Sequence, residues 1–201
     1  MIEINTIKTK FDWNRFRKVN KLFPEEKDIS FLDIGCGRGE VLKSVNYKYK
    51  SGLDFNNSNL SQAKNNLPYA NFYLTDIMDF KTDKRYGLIY AGEIIEHVTE
   101  PDKFLTKCYD LLEDGGTMVL DTPNICALYK RLKCMLGINP QPPSMHIQCF
   151  TKRSLVSIAK DVGFEIEVAS SDKITNIGRI WFKCPFDGLS NHIFLKLKKP
   201  L

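Results

Sequence analysis

Apolar residues come along this chain in two rhythms, and the alternation between them predicts the fold. From Phe11 to Leu22 they recur at helical spacing, with Phe11, Phe16, Val19, Leu22 and Phe23 on one side, and Pro24 ends the run. Ile29 to Ile34 is a short apolar stretch stopped by glycines, which marks a buried strand. Gly39 to Val45 reads as the helix that follows and Lys50 to Phe55 as the next strand; Asn57 or Ser58 then caps a helix through Asn65. Further strands are predicted at Asn71 to Leu74, Tyr86 to Ala91 and Thr117 to Asp121. A helix from Pro101 and Asp102 through Leu112 separates the last two, and the turn Glu113-Asp114-Gly115-Gly116 leads into the fifth strand. Strand alternating with helix builds a parallel sheet covered on both faces.

The rest of the chain keeps a different pattern. Asn124 to Gln148 is irregular and carries Pro140, Pro142 and Pro143, with room for a helix from Ala127 to Leu136. A loop of that length in a compact domain is usually functional, and it reads as a lid. Thr151 caps a helix to Val162, Gly163 stops it, and Phe164 to Ala169 and Ile193 to Leu197 are two last strands. No repeat or internal boundary interrupts the pattern. The expectation is one domain over residues 1–201, with an N-terminal helix at 10–23 and a lid insertion at 124–149.

Composition narrows the class. A chain of 201 residues, 43% hydrophobic and 26% charged, can bury a core without disulfides or metals to staple it. The net charge of +5 is mild, and Lys8, Lys10, Arg15, Arg17, Lys18 and Lys21 near one end with Lys196, Lys198 and Lys199 near the other read as a solvated basic face. Nucleic-acid binding, which usually shows a denser patch interleaved with aromatics, is not favoured. None of the six cysteines has C-x-x-C spacing, so no zinc ribbon is suggested and reduced thiols are expected. Met1 to Lys10 is polar, and no apolar run reaches the ~20 residues that span a bilayer. A cytoplasmic protein without a membrane span is the expectation; its oligomeric state is not legible.

The most informative segment is Phe31-Leu32-Asp33-Ile34-Gly35-Cys36-Gly37-Arg38-Gly39. A buried strand ends in three glycines at alternate positions and a helix follows. Glycines let backbone approach a ligand and take φ values closed to other residues, and a helix N-terminus offers free N–H groups to an anion. A dinucleotide site would space its glycines G-x-G-x-x-G instead. Asp54 ends the second strand about 20 residues on, where a carboxylate can take both ribose hydroxyls. Asp76 ends the third strand; it serves either a ligand or a helix cap. All three sites lie at the C-terminal edge of a parallel sheet.

With those motifs in order, the chain resembles the class I S-adenosylmethionine-dependent methyltransferases from about Ile29 to its C-terminus. The glycine segment resembles the family's first motif, Gly52-Leu53-Asp54 its ribose-binding strand end, and Leu112-Glu113-Asp114-Gly115-Gly116 the turn before its fifth strand. The resemblance implies a Rossmann-like, doubly wound α/β sheet of seven strands with the last one antiparallel, and S-adenosylmethionine as cofactor. It implies that Gly35, Gly37 and Gly39 bound the methionine end, that Asp54 holds the ribose, that Asp76 faces the adenine amino group, and that Arg17 reaches the methionine carboxylate. Asp33, Cys36, Phe55, Ile77 and Glu93 complete the expected cofactor lining.

A second cluster follows the fourth strand. If Gly92-Glu93-Ile94-Ile95-Glu96-His97 turns helically, Glu93, Glu96 and His97 share a face. The run resembles the Glu-x-x-Glu-His of ubiquinone-pathway O-methyltransferases and of small-RNA 3′-end methyltransferases, where it implies a divalent metal completed from elsewhere. Here His146 in the lid would complete a site for Mg²⁺, Mn²⁺ or Zn²⁺. Without a metal, Glu93 lines the cofactor and His97 or His146 serves as general base. His192 reads as structural. The expected reaction is O-methylation of a hydroxyl on a small metabolite or a saccharide or lipid precursor. The alternatives are an RNA 2′-O-methyltransferase and a non-catalytic cofactor-binding partner subunit.

Overall fold

Strand β1 (Ser30–Ile34) takes the centre of the sheet because both of its faces are apolar: Phe31 points one way, Leu32 and Ile34 the other, and all three are buried. The computed structural model describes residues 12–140, 147–171, 174–177, 180–183 and 190–201. Parallel to β1 lie β2 (Tyr49–Asp54) on one side and β4 (Tyr86–Gly92) on the other. Beyond β2 comes β3 (Asn71–Leu74), and beyond β4 comes β5 (Leu112–Pro123), again parallel. Strand β9 (His192–Lys198) runs antiparallel between β5 and β6 (Glu165–Ser171). The order β3-β2-β1-β4-β5-β9-β6 is the seven-stranded Rossmann-like sheet expected, with its last strand antiparallel. The chain winds outward from β1 to β3, then returns to β4 on the other side of β1. That reversal opens a crevice at the C-terminal ends of β1 and β4, where such sheets bind ligands.

Alternation along the strands separates two cores. Phe31, Leu88, Tyr90 and Val119 face α1 (Trp13–Val19), α2 (Glu40–Ser44) and α3 (Asn57–Asn66), meeting Phe16, Val19, Leu42 and Leu60. Leu32, Ile89, Ala91 and Leu120 face α4 (Pro101–Leu111) and α6 (Lys152–Val162), meeting Phe104, Leu105, Leu155 and Ala159. Strand period 2 has become two layers of helix. Asp12 caps α1, which is shorter than predicted and passes into a 3-10 turn at Asn20–Leu22; Phe11 lies outside the described residues. Asn56, not Asn57 or Ser58, caps α3 by accepting from the Asn59 N–H. Helix α6 follows its signals closely: Thr151 and Ser154 form a capping box, and Gly163 ends the helix in the left-handed region.

The lid segment begins tied to the sheet. The Asn124 N–H donates to Asn191 O, the Ile125 N–H donates to Phe150 O, and the Asn124 side chain donates to Ser190 O. Helix α5 (Leu128–Met135) follows. Where the chain is described again, Ile147 and Gln148 both donate to Glu96 O, at 2.9 and 3.0 Å. A hairpin of β7 (Ile174–Ile177) and β8 (Ile180–Lys183), not foreseen from the sequence, lies beside α5 as a separate two-stranded sheet. Among the described residues no helix is long and apolar enough to cross a membrane.

Candidate cofactor and acceptor site

The glycine loop is held against the end of β2. Gly35 and Cys36 both donate to Leu53 O, at 2.7 and 3.0 Å, and the Gly37 N–H donates to Asp54 Oδ2 at 2.8 Å. Asp54 Oδ1 accepts from the Asn56 N–H at 2.7 Å, so its carboxylate is fixed at the mouth of the loop. Gly35, Gly37 and Gly39 have φ of 70, 53 and 81°, values that β-carbons disfavour. At Gly37 a Cβ would meet only Glu40 Oε2, at 3.8 Å, so a side chain there would stand in open space above the loop. An open glycine cradle with an anchored acid beside it fits the methionine and ribose portions of S-adenosylmethionine. Beneath the loop Asp33 is buried, and its Oδ2 has no hydrogen-bond partner among the described residues. Burial, with the charges of Asp54 and Glu40, holds the Asp33 pKa well above the ordinary carboxylate range, against the pull of Arg15. Burial likewise pushes the Cys36 thiol up, so this cysteine packs as a small neutral residue.

The remaining expected cofactor residues spread outward from that point. Phe55 is 78% exposed just past Asp54, Ile77 is buried in the core, and Asp76 is exposed. Asp76 accepts from the Met78 N–H at 2.8 Å, so at minimum it caps its own turn. Arg17 lies exposed on α1, and Arg15 takes the inner position instead.

At the ends of β4 and β5 the expected cluster is rearranged. Glu93 has φ 55°, the one positive value among described non-glycine residues, and its N–H still donates to Asp121 O across the sheet. The chain therefore bends left-handed at Glu93, and only Ile95–His97 forms a 3-10 turn. The helical face that would carry Glu93, Glu96 and His97 together is therefore not formed. Glu96 turns inward, where its Oε2 accepts from Thr122 Oγ1 at 2.9 Å, and burial raises its pKa. His97 is exposed. Among the described residues no group of three or more His, Cys, Asp or Glu is placed to hold a metal ion, so they give the metal reading no support. His146 lies outside the described residues.

Glu93 joins a different constellation. Its Oε1 lies 3.1 Å from His192 Nε2 at the start of β9, and its Oε2 lies 3.3 Å from Arg15 Nη1. The same Arg15 nitrogen donates to Asp121 Oδ2 at 2.9 Å, and Tyr90 Oη donates to Asp121 Oδ1 at 2.8 Å. Asp121 is fully buried, and burial raises its pKa even though Arg15 and the Tyr90 hydroxyl oppose the shift. Burial also disfavours the charge on Arg15, but Asp121 and Glu93 outweigh it and hold the guanidinium protonated. Gly92 makes this geometry possible: a Cβ there would fall 2.2 Å from Tyr90 Oη and 3.1 Å from Asp121 Oδ1. Arg15, Tyr90, Asp121 and His192 were not singled out from the sequence as site residues. An acid inside the apolar run Met118-Val119-Leu120-Asp121 was the available signal, because a buried carboxylate requires a partner.

A model of the methyltransferase domain matches residues 12–168. The trans-aconitate 2-methyltransferase of Agrobacterium fabrum is 28% identical over 122 residues, which is 57% of this chain and 48% of that protein. A ubiquinone biosynthesis O-methyltransferase of Nitrobacter winogradskyi is 32% identical over 121 residues, 57% of this chain and 44% of that protein. The matched region thus spans under half the length of either relative. Among solved structures, the N-methyltransferase NodS of Bradyrhizobium japonicum in complex with S-adenosyl-L-homocysteine superposes with a TM-score of 0.63. It is 14% identical, and the match covers 94% of this chain and 87% of that one, a likeness of fold.

Proposed function

The chain belongs to the methyltransferase domain family of the class I S-adenosylmethionine-dependent enzymes, and on that premise we propose that it methylates a hydroxyl on a small metabolite or on a saccharide or lipid precursor. The observation that carries this reading is the Glu93–His192 pair at the C-terminal edge of the sheet. Glu93 leaves β4 beside the glycine loop; the neighbouring Ile94 is so close that a Cβ on Gly35 would lie 2.3 Å from its Cδ1. That proximity to the glycine loop supports the pair as the group that faces the transferred methyl. The name of one matched relative, an O-methyltransferase, supports the same class of reaction.

When bound, the cofactor supplies a methyl group on a sulfonium, already a good leaving group, so much of the rate comes from alignment. A hydroxyl acceptor must in addition give up its proton. His192 takes it, while Glu93 orients the ring through Nε2 and balances the imidazolium charge. Arg15 fixes the other oxygen of Glu93, and Asp121 with Tyr90 fixes Arg15. Arg15 and Asp121 are positioning residues in this scheme. His192→Asn and Glu93→Gln are expected to lower kcat by about 10²–10⁴ while cofactor affinity is retained, as general-base loss would require. Turnover that survives both substitutions, or an amine as the methylated atom, contradicts the proposal.

A further inference from the structure

The lid segment and the helix α6 that follows it together carry a charge asymmetry that the cofactor and acceptor chemistry does not use. From Thr122 to Lys160 there is no Asp or Glu, while Lys130, Arg131, Lys133, Lys152, Arg153 and Lys160 supply six cations. The chain as a whole has 29 Lys and Arg against 24 Asp and Glu, so outside this segment 23 cations face 24 acids. The entire positive surplus therefore resides here, rather than in the basic residues near the chain ends.

The same segment exposes aliphatic side chains. Helix α5 is rooted through Ala127 and Lys130, which are buried, and its C-terminal turn projects: every residue from Arg131 to Asn139 is exposed. Met135, Leu136, Ile138 and Ile147 are each more than half exposed, with Leu132 beside them on the helix. Soluble proteins seldom leave such a group of aliphatic residues to water without a partner. The composition selects the partner. A nucleic-acid surface would offer aromatic rings for bases to stack on, and among the described residues the exposed apolar side chains of this segment are all aliphatic. Cations without intervening acids, around leucine, isoleucine and methionine, match an anionic bilayer, whose headgroups take the charge while the acyl boundary takes the side chains.

We infer that the projecting end of α5, with Arg131 and Lys133 followed by Met135, Leu136 and Ile138, docks the protein on an anionic lipid surface. Helix α5 leaves the sheet just after the C-terminal end of β5, so docking brings the cofactor edge of the molecule toward the membrane. The inference stands whichever acceptor is methylated. It is tested by sedimenting the full chain with vesicles of phosphatidylcholine alone and of phosphatidylcholine mixed with phosphatidylglycerol. Pelleting with the anionic vesicles only, weakening as salt is raised, is expected. Met135→Asp together with Leu136→Asp removes it, and Arg131→Glu together with Lys133→Glu lowers partitioning by about tenfold or more. All four positions are exposed, so both double variants keep the melting temperature and cofactor binding of the unmodified chain. No pelleting with anionic vesicles, or pelleting unchanged by the Met135 and Leu136 substitutions, overturns the inference. So does an RNA oligonucleotide that binds this segment indifferently to those substitutions.

Discussion

Asp33 sits under the glycine loop with its Oδ2 unpaired among the described residues and its pKa raised, chiefly by burial. The sign of its effect on stability follows. A carboxyl whose folded pKa is raised contributes stability that is fully present below the unfolded value of about 3.9 and is lost as pH climbs through the folded value. Asp33→Asn removes that titration at nearly constant shape. Its melting temperature relative to the unsubstituted chain should rise progressively above about pH 4; a difference that does not change with pH contradicts the assignment. At Gly37 the expectations for fold and binding separate. Gly37→Ala costs about 1 kcal/mol for a side chain at positive φ, since the Cβ meets little else, yet it intrudes where the cofactor would lie. Thermal melting should fall slightly and affinity for S-adenosylmethionine sharply; equal losses in both would place the cofactor elsewhere. The loop residues were legible because glycine at alternate positions has few other uses. Arg15 was not distinguished from Arg17, although it stands four residues before the buried Val19 and so shares its helix face. His192 was read as structural because its partner Glu93 is 99 residues away in sequence, and no local pattern announces such a pairing.

Elements with strong punctuation were readable to within a residue or two. Thr151 and Gly163 bracket α6 by capping chemistry that acts locally, and the apolar runs of β1 and β4 admit little besides buried strands. The segment after β4 was misread for a specific reason. A shared face for Glu93, Glu96 and His97 depended on a helical turn at Glu93, but the Glu93 N–H is paired with Asp121 O, its backbone is left-handed, and its side chain meets Arg15 and His192. Hydrogen bonding to a neighbouring strand outweighed the local pattern. The β7–β8 hairpin went unforeseen, since Ile174–Ile177 and Ile180–Lys183 are only four residues each. The end of β4 offers an element-scale prediction. Gly92→Ala drives a methyl into the Tyr90 ring where it reaches Asp121, and overpacking of this kind costs about 1–3 kcal/mol. Chemical denaturation should show a lower midpoint with an unchanged slope. An unaltered midpoint would mean that Tyr90 moves aside freely and that the Arg15–Asp121 pairing does not depend on it.

At the scale of the molecule, the strand order decides where chemistry can occur. Reversal of the winding between β3 and β4 opens one crevice, and the glycine loop, Asp54, Glu93, Asp121 and the root of the lid all lie along that edge. This much could be derived from the sequence, because alternating strands and helices with acids at strand ends leave a parallel sheet few arrangements. Contacts between the two ends of the chain could not, since the antiparallel β9 brings His192 against Pro123 through a register that only the folded sheet reveals. The account rests on the cofactor lying on this edge with its ribose at Asp54. Titration calorimetry of S-adenosylmethionine into the full chain and into Asp54→Ala tests it directly. The unsubstituted chain should bind, and the substitution, removing charge-assisted hydrogen bonds worth roughly 1.5–3 kcal/mol, should weaken binding about tenfold to a hundredfold. Undiminished affinity in Asp54→Ala, or a chain that ignores S-adenosylmethionine and binds a dinucleotide, would contradict it.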